Sequence, residues 1–184
     1  GIALGVERIG EWGERSRIAD RTGIDLPEER AGLIPTLEWY HARYGKGGFG
    51  PGAALNLAIG QGEVLLTPLQ IAHFVGAVAI GGRVMRPHLV RRVQSVSGEV
   101  GRDATGENWE DGRLAFSTEN LRIVSAAMER VVMDNAGTGT RARVGSFRIA
   151  GKTGTAQNPH GNDHAVFACF ATMDDPRLAV AVIA

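Results

Sequence analysis

The sequence predicts an α+β domain in which an antiparallel sheet packs against helices. Three observations carry this. Three apolar, strand-like runs, 146–153, 164–173 and 177–184, follow one another with short polar breaks, as in an antiparallel meander. The run from Thr67 to Ile80 is apolar nearly all round and carries a strong helix start, the pattern of a buried helix. A second helical stretch opens at Ser117, with Leu121, Val124, Ala127, Met128 and Val131 on one face.

Taken in order, Ile2, Val6, Ile9 and Trp12 roughly follow helical spacing, so 2–13 reads as a short helix. Residues 14–34 are polar with Gly and Pro, an irregular connection, and Leu37 to Tyr44 form a short helix after Pro35. Gly45-Lys46-Gly47-Gly48-Phe49-Gly50-Pro51-Gly52 reads as a loop, because so many glycines cost too much entropy in a regular element. Thr67 can cap the next helix, Pro68 fits its first position, and Gln70 completes a capping box. Gly81-Gly82 ends that helix. His88 to Val96 reads as a strand, followed by a polar loop through Gly112. Gly137-Thr138-Gly139 breaks the chain before the meander. Asn158-Pro159-His160-Gly161-Asn162-Asp163 and Asp174-Asp175-Pro176 make its two turns.

Bulk properties narrow the function. The 184 residues suit one domain or a large part of one, with enough chain to bury a core. Lys and Arg total 20 against 20 Asp and Glu, which argues against a nucleic-acid partner. Cys169 is the one cysteine, so no internal disulfide is possible. No apolar run approaches the ~20 residues of a membrane span. The chain starts at Gly1 without a methionine and ends inside the apolar run Leu178 to Ala184, so both ends are expected to continue in a longer protein.

The chemistry concentrates in Gly151-Lys152-Thr153-Gly154-Thr155, directly after the strand-like Phe147-Arg148-Ile149-Ala150. Lys152 and Lys46 are the only two lysines. A scarce cation between glycines, flanked by two hydroxyls at a strand end, suits an anionic, acyl-type substrate held along a strand edge. Lys-Thr-Gly is one of three motifs of the penicillin-binding proteins and serine β-lactamases. The other two are absent: Arg43 and Ile149 stand where Ser-x-x-Lys needs a serine, and neither Ser-x-Asn nor Ser-x-Asp occurs.

Further stretches complete a resemblance. They are Gly32-Leu33-Ile34-Pro35 with Trp39, Asn56-Leu57-Ala58-Ile59-Gly60-Gln61-Gly62, Thr67-Pro68-Leu69-Gln70-Ile71-Ala72, and Gly151 through Gln157. In this order they resemble the C-terminal part of the transpeptidase domain of class B penicillin-binding proteins, especially the elongation-type enzyme of rod-shape growth. The resemblance covers essentially the whole chain. It implies part of the penicillin-binding/serine β-lactamase-like transpeptidase fold over residues 1–184, with the serine nucleophile and the Ser-x-Asn motif N-terminal to Gly1.

It also implies roles. In such an enzyme a serine attacks the carbonyl between two D-alanines of a peptidoglycan stem peptide, and a neighbouring amine resolves the acyl-enzyme. Lys152 would place a positive charge beside the serines and attract the substrate carboxylate. The hydroxyls of Thr153 and Thr155 would donate to that carboxylate. The backbone N–H of Thr155 would be one arm of the oxyanion hole, and Gly154 would let the substrate approach the strand closely. The implied partners are the D-Ala-D-Ala stem peptide, β-lactam antibiotics and a membrane glycosyltransferase of the elongation machinery. The implied location is the periplasmic face of the bacterial inner membrane. No cofactor, metal or nucleic acid is expected.

Other readings compete. A β-lactam sensor, a β-lactamase or a degenerate scaffold would share the fold. A phosphate loop also ends in Gly-Lys-Thr, but Ser146 stands where its first glycine belongs. Gly45-x-Gly47-x-x-Gly50 formally matches a dinucleotide fingerprint, yet it follows a helix and Pro51 is followed by glycine rather than by a helix. His160, Asp163 and His164 lie in a polar loop without metal-ligand spacing, and His164 opens the next strand. His41, His73 and His88 read as structural, and Met128 and Met133 as helix packing.

Overall fold

The computed structural model describes residues 3–158 and 160–184. Ile2 and Pro159, used in the sequence reading, lie outside the described residues.

Three helices form a first core. They are α1 (Gly5–Arg15), α2 (Leu37–Tyr44) and α3 (Pro51–Ala58). Val6, Tyr40, Ala54 and Leu57 are buried together, with Ile9, Ile34, Trp39 and Phe49 packed around them. The helix α3 corrects the sequence reading, which ran a loop through Gly52 and placed no helix after Pro51. Pro51 stands in the first turn, where its missing N–H has no helical partner to lose. Burial of Ala54 and Leu57 then offsets the entropy cost of Gly52. Residues 16–36 are irregular as expected, apart from a single bridge between Leu33 and Leu65.

A second core gathers around α4 (Pro68–Ala79). The capping box is present: Thr67 Oγ1 accepts the Gln70 N–H at 3.2 Å, and Gln70 Oε1 accepts the Thr67 N–H at 2.8 Å. Gln70 is buried, and its Nε2 donates to the carbonyls of Ala19 and Asp20, both at 2.9 Å. One side chain thus starts the helix and ties down the irregular connection. Ala77 and Val78 of α4 pack with Val84, Leu114 and Leu121.

The region 83–113 differs from expectation. β1 (Arg83–Met85) pairs antiparallel with β4 (Glu110–Arg113), and β2 (Arg92–Gln94) with β3 (Val100–Asp103). The expected strand from His88 to Val96 therefore shrinks to three residues, and the expected loop contains two strands. His88 stacks on Trp109 at 4.0 Å between centroids instead of joining a ladder. The residues of β2, β3 and β4 are all exposed, so no apolar alternation marks them.

The helix α5 (Thr118–Met133) starts where expected, with Ser117 Oγ accepting the Asn120 N–H at 3.2 Å. Its inward face is turned from the expected one. Leu121 and Val132 are buried and Met128 half-buried, whereas Val124 and Ala127 are exposed.

The meander is as expected, in the order β5–β6–β7 and antiparallel throughout. Its strands are β5 (Ile149–Ala156), β6 (His164–Ala171) and β7 (Leu178–Ile183). α5 lies against β5, and α4 against β6 and β7. Ala150, Ala168 and Phe170 are buried between sheet and helices. β5 runs to Ala156, beyond the expected end at Thr153, so Thr155 is a strand residue. Among the described residues, no helix is long and apolar enough to cross a membrane.

Candidate active site

The site is built on β5, which among the described residues has a hydrogen-bonded strand neighbour on one side only. Its register sets Lys152 opposite Ala168, Thr153 opposite Phe167 and Thr155 opposite Ala165. Alternation along the strand puts Thr153 and Thr155 on one face, and Lys152 and Gly154 on the other. Lys152, Gly154 and Thr155 are exposed and Thr153 is half-buried. All four predicted residues are therefore brought together on one accessible strand.

The two glycines of the motif do different work. A Cβ at Gly151 would come within 2.7 Å of the Phe167 ring, so close packing inside the sheet requires glycine there. A Cβ at Gly154 would meet nothing nearer than Val166 Cβ at 3.8 Å. The protein's own packing leaves that position open.

The direction of the backbone groups follows from their partners. In an antiparallel strand the N–H and C=O of one residue leave on the same side. In β6 the Ala165 N–H and carbonyl exchange bonds with those of Ala184, both at 2.9 Å, on the β7 side, so the even-numbered residues of β6, which stand opposite even-numbered residues of β5, bond toward β5. Even-numbered residues of β5 therefore bond toward β6 and odd-numbered ones face the open edge. The partners on that edge agree: the Thr153 carbonyl accepts from Lys152 Nζ, and the Thr155 carbonyl accepts from Gln61 Nε2 at 2.6 Å. The Thr155 N–H faces the same open side. There it can donate to a group that approaches along this edge.

Two residues without an assigned role in the sequence reading enter the site. Thr138 Oγ1 lies 2.8 Å from Thr153 Oγ1. With Thr138 as donor, the Thr153 proton stays free for a ligand. The turn holding Thr138 is tight against α5: the Gly139 N–H donates to the Val131 carbonyl at 2.9 Å. Gln61 is the other, and its Oε1 also accepts the Gln157 N–H at 3.1 Å. Its signal in the sequence is the flanking pair Gly60 and Gly62, both with positive φ, which present one side chain from a sharp loop.

The remaining candidates fall away from the edge. His164 opens β6. The His73 ring shares a hydrogen bond with the Met85 carbonyl at 2.7 Å, and the His41 ring packs on Phe49. Asp163 accepts the Asn158 N–H at 3.1 Å, closing the loop between β5 and β6. Lys152 lies within a strand that continues to Ala156, unlike the lysine of a phosphate loop, which opens a helix. Burial raises the Cys169 thiol pKa, which keeps it protonated and poorly nucleophilic.

Fold and site together define an α+β domain with a cationic, hydroxyl-bearing strand edge. Comparison with known proteins gives the family. The penicillin binding protein transpeptidase domain matches residues 2–184, and the chain belongs to that family. It is 34% identical over 201 residues to the peptidoglycan D,D-transpeptidase MrdA of Haemophilus influenzae, covering 98% of this chain and 30% of that protein. The MrdA of Acinetobacter baumannii is 31% identical over 195 residues, covering 98% and 28%. The crystal structure of Pseudomonas aeruginosa PBP2 superposes with a TM-score of 0.78 at 32% identity, covering 99% of this chain and 40% of that one. These relatives agree with the class B, elongation-type resemblance. The chain spans less than a third of the length of the curated relatives it matches.

Proposed function

We propose that this chain is the β5-bearing portion of a peptidoglycan D,D-transpeptidase domain. The carrying observation is the open edge of β5, where Lys152, Thr153 and Thr155 are displayed together and the Thr155 N–H faces outward. In the intact protein a serine N-terminal to Gly1 attacks the carbonyl between the two D-alanines. The terminal D-alanine leaves with a proton on its amine, and an amine of a second stem peptide displaces the serine ester. Lys152 supplies positive charge beside the serines, and the Thr153 and Thr155 hydroxyls donate to the terminal carboxylate. The Thr155 N–H stabilises the oxyanion, a contribution of about 2.7–4 kcal/mol for one such donor. Gly154 leaves room for the substrate backbone. β-Lactams enter the same edge and acylate the same serine.

In this reading the intact protein works on the periplasmic face of the inner membrane, held there by a membrane anchor. A membrane glycosyltransferase supplies its glycan strands. A Helicobacter pylori PBP2 that superposes with a TM-score of 0.79 at 27% identity has been solved with MreC, and a comparable scaffold partner fits this reading.

The test is mass measurement of the full-length protein after incubation with benzylpenicillin, beside Lys152→Ala. One covalent adduct, formed more slowly in the variant, is expected. A protein that forms no adduct overturns the proposal.

A further inference from the structure

We propose that Gln61 is a positioning residue for acyl transfer: its side-chain amide takes the place of a neighbouring strand at the open edge of β5 and fixes the backbone around Thr155. The inference rests on the reading of β5 as the acyl-binding edge.

The bonding pattern is that of a strand neighbour. Gln61 Nε2 donates to the Thr155 carbonyl at 2.6 Å, and Gln61 Oε1 accepts the Gln157 N–H at 3.1 Å. One planar amide thus bridges the carbonyl of residue 155 and the N–H of residue 157. A residue of an adjacent parallel strand bridges two such groups in the same way. The pair of bonds restrains both peptide planes between Thr155 and Gln157. The Thr155 N–H, on the same Cα as the held carbonyl, is left facing the acyl site. A carbonyl oxygen has two lone pairs, so the Thr155 carbonyl can still accept from an incoming ligand.

The bridge is anchored on both sides of Gln61. The end of α3 is a Schellman motif, with the Gly60 N–H donating to the Leu57 carbonyl at 3.1 Å and the Gln61 N–H to the Asn56 carbonyl at 2.9 Å. Gly60 and Gly62 have φ of +72° and +74°, so the loop turns sharply on either side of Gln61. Next in sequence, the Glu63 carboxylate accepts from Tyr40 Oη at 2.7 Å and from Tyr44 Oη at 3.0 Å. Tyr40 is 1% exposed and belongs to the first helical core. A chain of contacts therefore runs from that core through Glu63 and Gln61 to the edge of β5. Among the described residues, no other hydrogen bond joins this helical region to β5.

The experiment separates the benzylpenicillin reaction of the full-length protein into a binding constant and a first-order acylation rate. It compares wild type with Gln61→Met and Gln61→Glu. Met keeps the bulk and removes both bonds. Glu keeps the acceptor for Gln157 but turns a carboxylate oxygen toward the Thr155 carbonyl. Misplacing reacting groups by about 1 Å costs about 100-fold, so an acylation rate lower by about 10- to 100-fold is expected for Met, with the binding constant unchanged. A melting temperature within about 3 °C of wild type is expected for Met. The Glu variant should be slow at neutral pH and recover relative to wild type as the pH is lowered toward its carboxyl pKa, because the protonated acid can donate. An unchanged acylation rate in Gln61→Met, or a change confined to the binding constant, overturns this inference alone. If Gln61→Met is strongly destabilised, the Glu variant decides, and absence of its recovery on acidification overturns the inference. A wild-type protein that forms no adduct overturns both this inference and the proposed function.

Discussion

At the residue scale, the site depends on a few groups whose roles differ in how they show in the sequence. Lys152 is legible because a chain with two lysines places one of them between glycines after an apolar run. Lys152→Ala in the full-length protein should slow acylation by benzylpenicillin at least about tenfold while the fold is retained, since the side chain is exposed. Stopped-flow or mass-based kinetics would check this, and equal rates would show the site to be misplaced. Thr155→Val removes one hydroxyl donor to a carboxylate. It should weaken binding of a carboxylate-bearing β-lactam by about 1.5–3 kcal/mol, measured as the binding constant before acylation. Gln61 and Thr138 also stand between glycines, but those glycines mark turns and do not say which strand the side chain reaches. Both act through partners more than ten residues away, and neither distance nor direction is encoded in local spacing.

At the scale of elements, the strongest local signals hold. The Thr67–Gln70 capping box and the Ser117 cap form as local side-chain chemistry predicts. Thr67→Ala should cost about 1 kcal/mol in a denaturant titration of the full-length protein. The missed helix, α3, is short and hidden behind Pro51-Gly52, a pair that reads as a turn until its buried neighbours are known. Its end matters to the site. Gly60→Ala should cost about 1–2 kcal/mol, because an L-residue is strained at a φ of +72°. It should also slow acylation, because Gln61 would be displaced. Glu63 lends this loop a pH dependence. Burial acts to raise its pKa, but the hydrogen bonds from Tyr40 and Tyr44 outweigh burial and leave it lowered. A depressed carboxyl pKa contributes stability above the unfolded value near ~4.3 and loses it as pH falls through the folded value. Thermal melts should show this acid-side loss reduced in Tyr44→Phe, which deletes one of the two bonds.

At the scale of the whole molecule, the displayed edge and its catalytic completion are separate matters. With neither serine motif present, this chain by itself should form no covalent adduct with benzylpenicillin, and a serine-linked adduct on it would refute that. Leu178, Val180 and Val182 of β7 are 66%, 41% and 51% exposed, an apolar strip that promotes self-association when uncovered. The chain alone should therefore elute above its monomer mass in size-exclusion chromatography with light scattering, and a monomer with a cooperative melt would count against this. The sequence by itself determined the α+β class, the antiparallel meander, the capped helices and the strand that carries Lys152 and Thr153, whereas the continuation of that strand through Gly154 and Thr155 emerged from its pairing with β6. The features read from sequence are written in short-range patterns of polarity, capping and turn residues. Tertiary structure alone decided which edge of β5 stays open, which way the Thr155 N–H points, and that Gln61 closes the strand end. Those outcomes depend on strand order and on contacts across about half the chain, where no local periodicity reaches.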